Sequence, residues 1–246
     1  MGSPRSTTQD AVHGIKQYIR KNHLQPGDLL PSEPVLCAEL GCSRSAVREA
    51  VRALSTLDIV DVRHGYGTFV GAMTLEPLVQ GLAFRTIVDE AAALKKVIYV
   101  VDARESIAQS AGAHLIAACS EADFHALSDL LEKMCELGER GESALAPERA
   151  FHHLLATRLE NPIMREFYEA LWQVQVKSLQ ALGWELGAES AAGIGAKAAL
   201  VEALKCGDLV AYQQAVAVYY ASMREQIEVQ FKVPAPQSEY KQTPDQ

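Results

Sequence analysis

The chain has 246 residues and a net charge of −8. That length suits one large or two ordinary domains, and the acidity argues against a general nucleic-acid coat. No run approaches the ~18 uninterrupted apolar residues of a membrane span, and no signal peptide is visible. Residues 1–8 are too polar to order themselves. Residues 34–40 read as a short helix, and Gly41 sits where a tight turn lets two helices cross steeply. Ser43 is placed as the N-cap of a second helix. On that helix Val47, Ala50, Val51 and Leu54 fall at i, i+3, i+4 and i+7, which makes one buried stripe. Arg44, Ser45, Arg48 and Arg52 then share the opposite face. Residues 59–63 are β-rich, Gly65 to Gly67 permits a reversal, and residues 68–70 return, with His64, Gly65 and Tyr66 at the tip.

A helix pair followed by a glycine-tipped hairpin is the layout of a winged helix-turn-helix. In that arrangement the first residues of the second helix reach base edges. Arginine suits guanine, whose O6 and N7 accept its paired donors, and small hydroxyl residues let the backbone approach phosphate. A solvated face on an ordinary amphipathic helix would also carry arginines; the turn and hairpin around it favour the DNA reading. Splitting the charge reconciles that reading with the acidity. Residues 1–72 hold eight Lys/Arg against seven Asp/Glu, and residues 73–246 hold fifteen against twenty-four. The first part is thus +1 and the second −9. A phosphate feels the local arginines within a Debye length of ~8 Å. A near-neutral reader with few phosphate contacts binds strongly only as a dimer on a specific site.

From residue 74 onward the chain reads as successive helices, at about 94–118, 120–134, 147–159, 163–182, 189–205 and 209–231. Ser120 and Asp123 form a capping-box pattern ahead of Phe124, Leu127, Leu131 and Met134. Gly207 and Asp208 serve as C-cap followed by N-cap. Abundant alanine and short β-branched runs fit a bundle. The expected fold is therefore mainly α: an N-terminal winged helix-turn-helix with a small hairpin wing (9–72), a linker (73–82), an all-α bundle (83–232) and a disordered tail (233–246). Five cysteines, Cys37, Cys42, Cys119, Cys135 and Cys206, form no CxxC and no even framework, which fits reduced thiols in a cytoplasmic protein.

The run LQPGDLLPSEPVLCAELGCSRSAVREAVRALSTLDIVDVRHGYGTFV resembles the DNA-binding domain of the GntR transcriptional regulators almost position for position. The resemblance implies DNA contacts from Ser43, Arg44, Ser45 and Arg48 and from His64 and Gly65 of the wing; Arg52 joins them from the helical face. Many members carry an arginine after the Glu of PSE. Pro34 stands there, so that contact is expected to be absent.

The second half is similar to the helical effector domain of the FadR subfamily, the FCD domain. The landmarks are Phe151 and His152, then Asn161 and Pro162, the segment ALKCGD at 203–208, and Arg104 in the long first helix. The glutamate often found four residues after that arginine is Ala108. The resemblance implies a divalent-metal site of one aspartate and three histidines. Its positions hold Glu148, His152, Lys197 and Tyr219, so two of four ligands are gone, and a charged lysine has no lone pair to give. No metal cofactor is expected. Lys197 in place of a metal beside Glu148 leaves Arg104, His152, Asn161 and Tyr219 to bind a small organic anion, a carboxylate. The other reading is a degenerate pocket closed by a structural Glu148–Lys197 pair. The expected function is a ligand-responsive repressor or activator, bound to a palindromic operator as a homodimer. The alternative is a constitutive DNA-binding protein. An enzyme is disfavoured by the lack of a nucleophile motif, a phosphate-cradling glycine loop and a complete metal set.

Overall fold

The computed structural model describes residues 7–184 and 191–232. The expected disordered tail lies outside them, as do Glu189 and Ser190 of the helix expected at 189–205. The chain divides into two compact units between Leu78 and Val79.

In the first unit, α1 (Thr8–Lys21), α2 (Glu33–Leu40) and α3 (Arg44–Thr56) precede the antiparallel hairpin of β1 (Val60–Arg63) and β2 (Gly67–Val70). Order begins earlier than residue 8. Thr7 caps α1 through a reciprocal box with Asp10, whose carboxylate accepts from the Thr7 amide at 2.7 Å. Ala11, Ile15 and Ile19 recur every four residues along α1 and join Leu36 and the α3 stripe of Val47, Ala50, Val51 and Leu54 in one core. Burying a valine, leucine or isoleucine contributes about 1.5–3 kcal/mol apiece, so this one cluster holds the three helices together. Gly41 takes φ 64° and ends α2 where a side chain would be strained. The hairpin pairs Val60 with Val70 and Arg63 with Gly67. Its loop is His64–Gly65–Tyr66, with Gly65 at φ 80°.

The second unit contains the rest of α4 (Glu76–Ile87), then α5 (Glu90–Ala118), α6 (Glu121–Glu139), α7 (Leu145–Thr157), α8 (Pro162–Ala181), α9 (Ala191–Cys206) and α10 (Leu209–Lys232). α4 runs through most of the segment expected as a linker. α5 packs against α8, α9 and α10, and α6 against α7 and α9. Ser120 and Asp123 form the expected capping box on α6. Gly207 turns left-handed at φ 68°, and Asp208 accepts from the Ala211 amide at 2.9 Å. α5 and α10 cross closely at Gly112, where a Cβ would stand 2.6 Å from the Tyr212 ring. The Tyr212 hydroxyl donates to the Ala108 carbonyl at 3.0 Å across the same crossing.

Candidate functional site

Two groups of residues stand apart chemically, one in each unit. In the first, the Ser43 hydroxyl accepts from the Ala46 amide at 3.2 Å and lies 3.1 Å from the Ser45 hydroxyl. Ser43, Arg44, Ser45, Arg48 and Arg52 are all exposed on one side of α3. Arg48 reaches back to Glu33 of α2 at 3.2 Å, and Arg52 pairs with Glu49 at 2.7 Å. Water screens such surface pairs strongly, so both arginines can exchange their carboxylate for a phosphate or a base. His64 and Gly65 stand exposed at the wing tip, and Tyr66 beside them is 81% exposed. An exposed aromatic at a hairpin tip is a second feature of this surface, legible in the sequence though not among the expected contacts.

The second group is buried. Arg104 on α5, His152 on α7, Lys197 on α9 and Tyr219 on α10 each have 4% or less of their surface exposed. The structure brings all four together with Glu148, which retains partial access at 21% of its side chain. Lys197 Nζ lies 3.6 Å from Glu148 Oε1 and 4.8 Å from the Tyr219 ring centre. Arg104 Nη2 is 3.4 Å from His152 Nε2, and its Nη1 donates to Gln175 Oε1. His152 Nδ1 meets the Tyr168 hydroxyl at 2.9 Å, and Nε2 meets the Tyr219 hydroxyl at 3.2 Å. Tyr219 also reaches Glu148 at 3.3 Å.

The donor inventory limits where the protons can lie. Arginine can only donate, so the Arg104 contact calls for His152 Nε2 as acceptor, with the ring proton on Nδ1 toward Tyr168. Glu148 can only accept, so the single Tyr219 proton serves either this contact or His152 Nε2. Burial holds the His152 imidazole well below its usual pKa, with Arg104 and Lys197 adding to the effect. It is neutral at pH 7. Burial likewise keeps Tyr168 protonated, pushing it well above the usual phenol value. No carboxylate among the described residues pairs directly with Arg104. Its partners are Gln175, His152, the Met223 sulfur and the face of Tyr220. The Tyr220 hydroxyl, buried beside it, has no hydrogen-bond partner. Burying a guanidinium and an unpaired phenol is costly unless something neutralises and satisfies them.

Asn161 does not belong to this cluster. It is exposed, and its side-chain oxygen accepts from the Ile163 and Met164 amides at 3.0 and 3.3 Å as N-cap of α8. The Asn-Pro pair is explained by capping alone, Pro162 filling the first helical position. Gln175, Tyr168, Tyr220 and Met223 do belong, and sequence reasoning missed them. His153 points outward to Glu169 at 2.7 Å, as its place beside His152 implies.

A family-type divalent metal does not fit these residues. The described residues contain no group of three His, Cys, Asp or Glu able to hold one. The lone pair of His152 Nε2 already faces Arg104, and the Lys197 ammonium stands beside Glu148. An added cation would meet two fixed ones. Purified protein after dialysis is accordingly expected to hold far less than one equivalent of zinc, nickel or manganese per chain by elemental analysis. One equivalent that survives dialysis would show that the two cations move aside.

A cleft of about 680 Å³, counting its open mouth, reaches this cluster and is lined by Glu148, Trp172, Gln175, Tyr219 and Met223 among others. No helix of the described residues is long and apolar enough to cross a membrane.

Residues 7–70 match the bacterial regulatory proteins of the gntR family, and residues 99–222 match the FCD domain. Over 147 residues the chain is 28% identical to the HTH-type transcriptional regulator LutR of Bacillus subtilis, which covers 60% of this chain and 65% of that protein. Over 166 residues it is 27% identical to the Uxu operon regulator of Haemophilus influenzae, covering 67% and 59%. The matched region thus spans less than two thirds of either relative. A solved structure of Streptococcus agalactiae GntR shares the fold, with a TM-score of 0.64 at 21% identity over 89% of this chain and 99% of that one. The two matched domains together place this chain in the GntR family of transcriptional regulators, with the FCD effector domain of the FadR-like subfamily.

Proposed function

We propose that this regulator works in the cytoplasm as a homodimer on a short palindromic DNA operator and changes its grip when a small organic anion enters the helical unit. Ser43, Arg44, Ser45 and Arg48, with Arg52, read or hold the major groove, and His64 and Gly65 touch the backbone or minor groove. The anion, a carboxylate, sits where Arg104 and Lys197 converge, with His152, Tyr219 and Glu148 shaping the seat. Under this reading the helical unit binds and does not catalyse.

The observation that carries the reading is Arg104, buried with neutral partners and an unsatisfied Tyr220 hydroxyl beside it. A carboxylate supplies the missing charge and an acceptor for that phenol. Its affinity is greatest in the helix arrangement that closes on both cations, and that difference between arrangements is what a switch requires. The second reading, a constitutive binder with a dead pocket, draws on the Glu148–Lys197 contact, which neutralises one cation without any ligand.

A panel of small carboxylates separates the two. Thermal shift is expected to show at least one that raises the melting temperature, and the same compound is expected to alter binding to a duplex selected by the protein from a random-sequence pool. A panel that gives neither effect favours the constitutive binder.

A further inference from the structure

Cys37 and Cys42 occupy the two ends of one helix terminus. α2 closes with Gly41 in the left-handed conformation, and both the Gly41 and Cys42 amides donate to the Cys37 carbonyl, the second at 3.2 Å. The bond from the residue after the left-handed glycine back to the fifth residue before it defines a Schellman-type stop. In such a stop the side chains at these two positions characteristically meet. Here both are thiols. Cys42 is buried in the core of the first unit, and Cys37 packs against that same core while keeping partial access. Cys42 Sγ donates weakly to the Leu40 carbonyl at 3.4 Å, which keeps it on the inner side of the turn. The next residue is Ser43, the cap of α3.

We propose that Cys37 and Cys42 form a redox-modification site, closing to an intrachain disulfide when hydrogen peroxide reaches Cys37. The more accessible Cys37 sulfur, as thiolate, attacks one peroxide oxygen. The O–O bond breaks, Cys37 becomes a sulfenic acid and water leaves. The Cys42 sulfur then attacks the Cys37 sulfur, the S–S bond forms, the S–O bond breaks and a second water carries off the oxygen. Two thiols are oxidised and one hydrogen peroxide is reduced.

A disulfide draws the two Cβ atoms to about 3.8 Å. Closure therefore pulls on the turn itself and tilts the start of α3, because Cys42 is followed directly by Ser43 and Arg44. The effect on DNA rests on the DNA contacts proposed above. The other thiols are poorly suited to the same chemistry: burial, then the Asp123 carboxylate, pushes Cys119 up to about 11. Cys135 and Cys206 are exposed, with no cysteine at the other end of such a turn.

The test uses the full chain carrying Cys119→Ser, Cys135→Ser and Cys206→Ser, treated with hydrogen peroxide. Intact mass is expected to show the loss of two hydrogen atoms, and non-reducing peptide mapping a Cys37–Cys42 link. Affinity for a duplex selected from a random pool by the reduced protein is expected to fall about tenfold or more, and dithiothreitol to restore it. Adding Cys37→Ser should remove both effects. Oxygen addition without hydrogen loss, or a link between chains, overturns the proposal, as does a quantitative disulfide that leaves affinity unchanged. If the reduced protein selects no duplex, the DNA contacts are at fault, and the mass and peptide map still decide the thiol pair.

Discussion

Arg44→Ala or Arg48→Ala is expected to abolish specific operator binding while leaving the fold intact. Both side chains are exposed and contribute nothing to the core of Ala11, Ile15, Val47 and Leu54, so melting behaviour is expected to change little. Each arginine lost from a bidentate base contact weakens one half-site about tenfold to a hundredfold, and a symmetric dimer loses two. Arg48 must first leave Glu33, so Glu33→Gln is expected to leave binding intact or strengthen it slightly. The measurement is a gel shift on a duplex selected by the wild-type chain, with circular dichroism as the control for folding. Unchanged shifts for both variants would remove α3 from the DNA interface. His64→Ala at the wing tip is expected to reduce affinity less, since one hairpin contact holds the backbone and carries little sequence information.

The second large effect belongs to Lys197. Lys197→Met keeps the length of the stem and removes the charge, and the DNA-binding unit lies elsewhere in the chain. The variant is expected to bind the duplex normally and lose its response to the carboxylate that shifts the wild type. Loss of binding to the anion, read by thermal shift, accompanies loss of response. A normal response in Lys197→Met would place the anion on Arg104 alone and end the idea that a lysine takes the place of the family's metal.

The features of the fold that were legible in the sequence are those in which a few adjacent residues decide a conformation. Ser43, Gly41, the Ser120–Asp123 box and the Gly207–Asp208 stop each act within four residues, and each stands where expected. Thr7 and Asp10 obey the same rule, yet they lie at the edge of a polar tail, and composition outweighed the cap. α4 was hidden by a proline at its second position, a residue that reads as a break but suits a first helical turn. The cluster around Arg104 was only partly legible. Glu148 and His152 are four apart on one helix and announce a shared face. Gln175 and Tyr220, by contrast, sit on different helices from Arg104, and nothing in their local spacing separates them from ordinary bundle interior. Asn161 was misplaced for the opposite reason: a conspicuous Asn-Pro pair needs no ligand when it caps a helix.

The burial of Lys197 has a consequence for supply. A metal ion must be acquired, can be stripped by a chelator, and leaves a mixed population whenever it is scarce. An ammonium carried on four methylenes is installed when the chain is made, and its stoichiometry is fixed by the gene. The charge at Glu148 is then the same in metal-starved and metal-replete cells. The protein bears the desolvation of that ammonium at all times, including before any small molecule arrives. Such a sensor would report on its anion alone, where a metal-dependent one reports on the anion and the metal together.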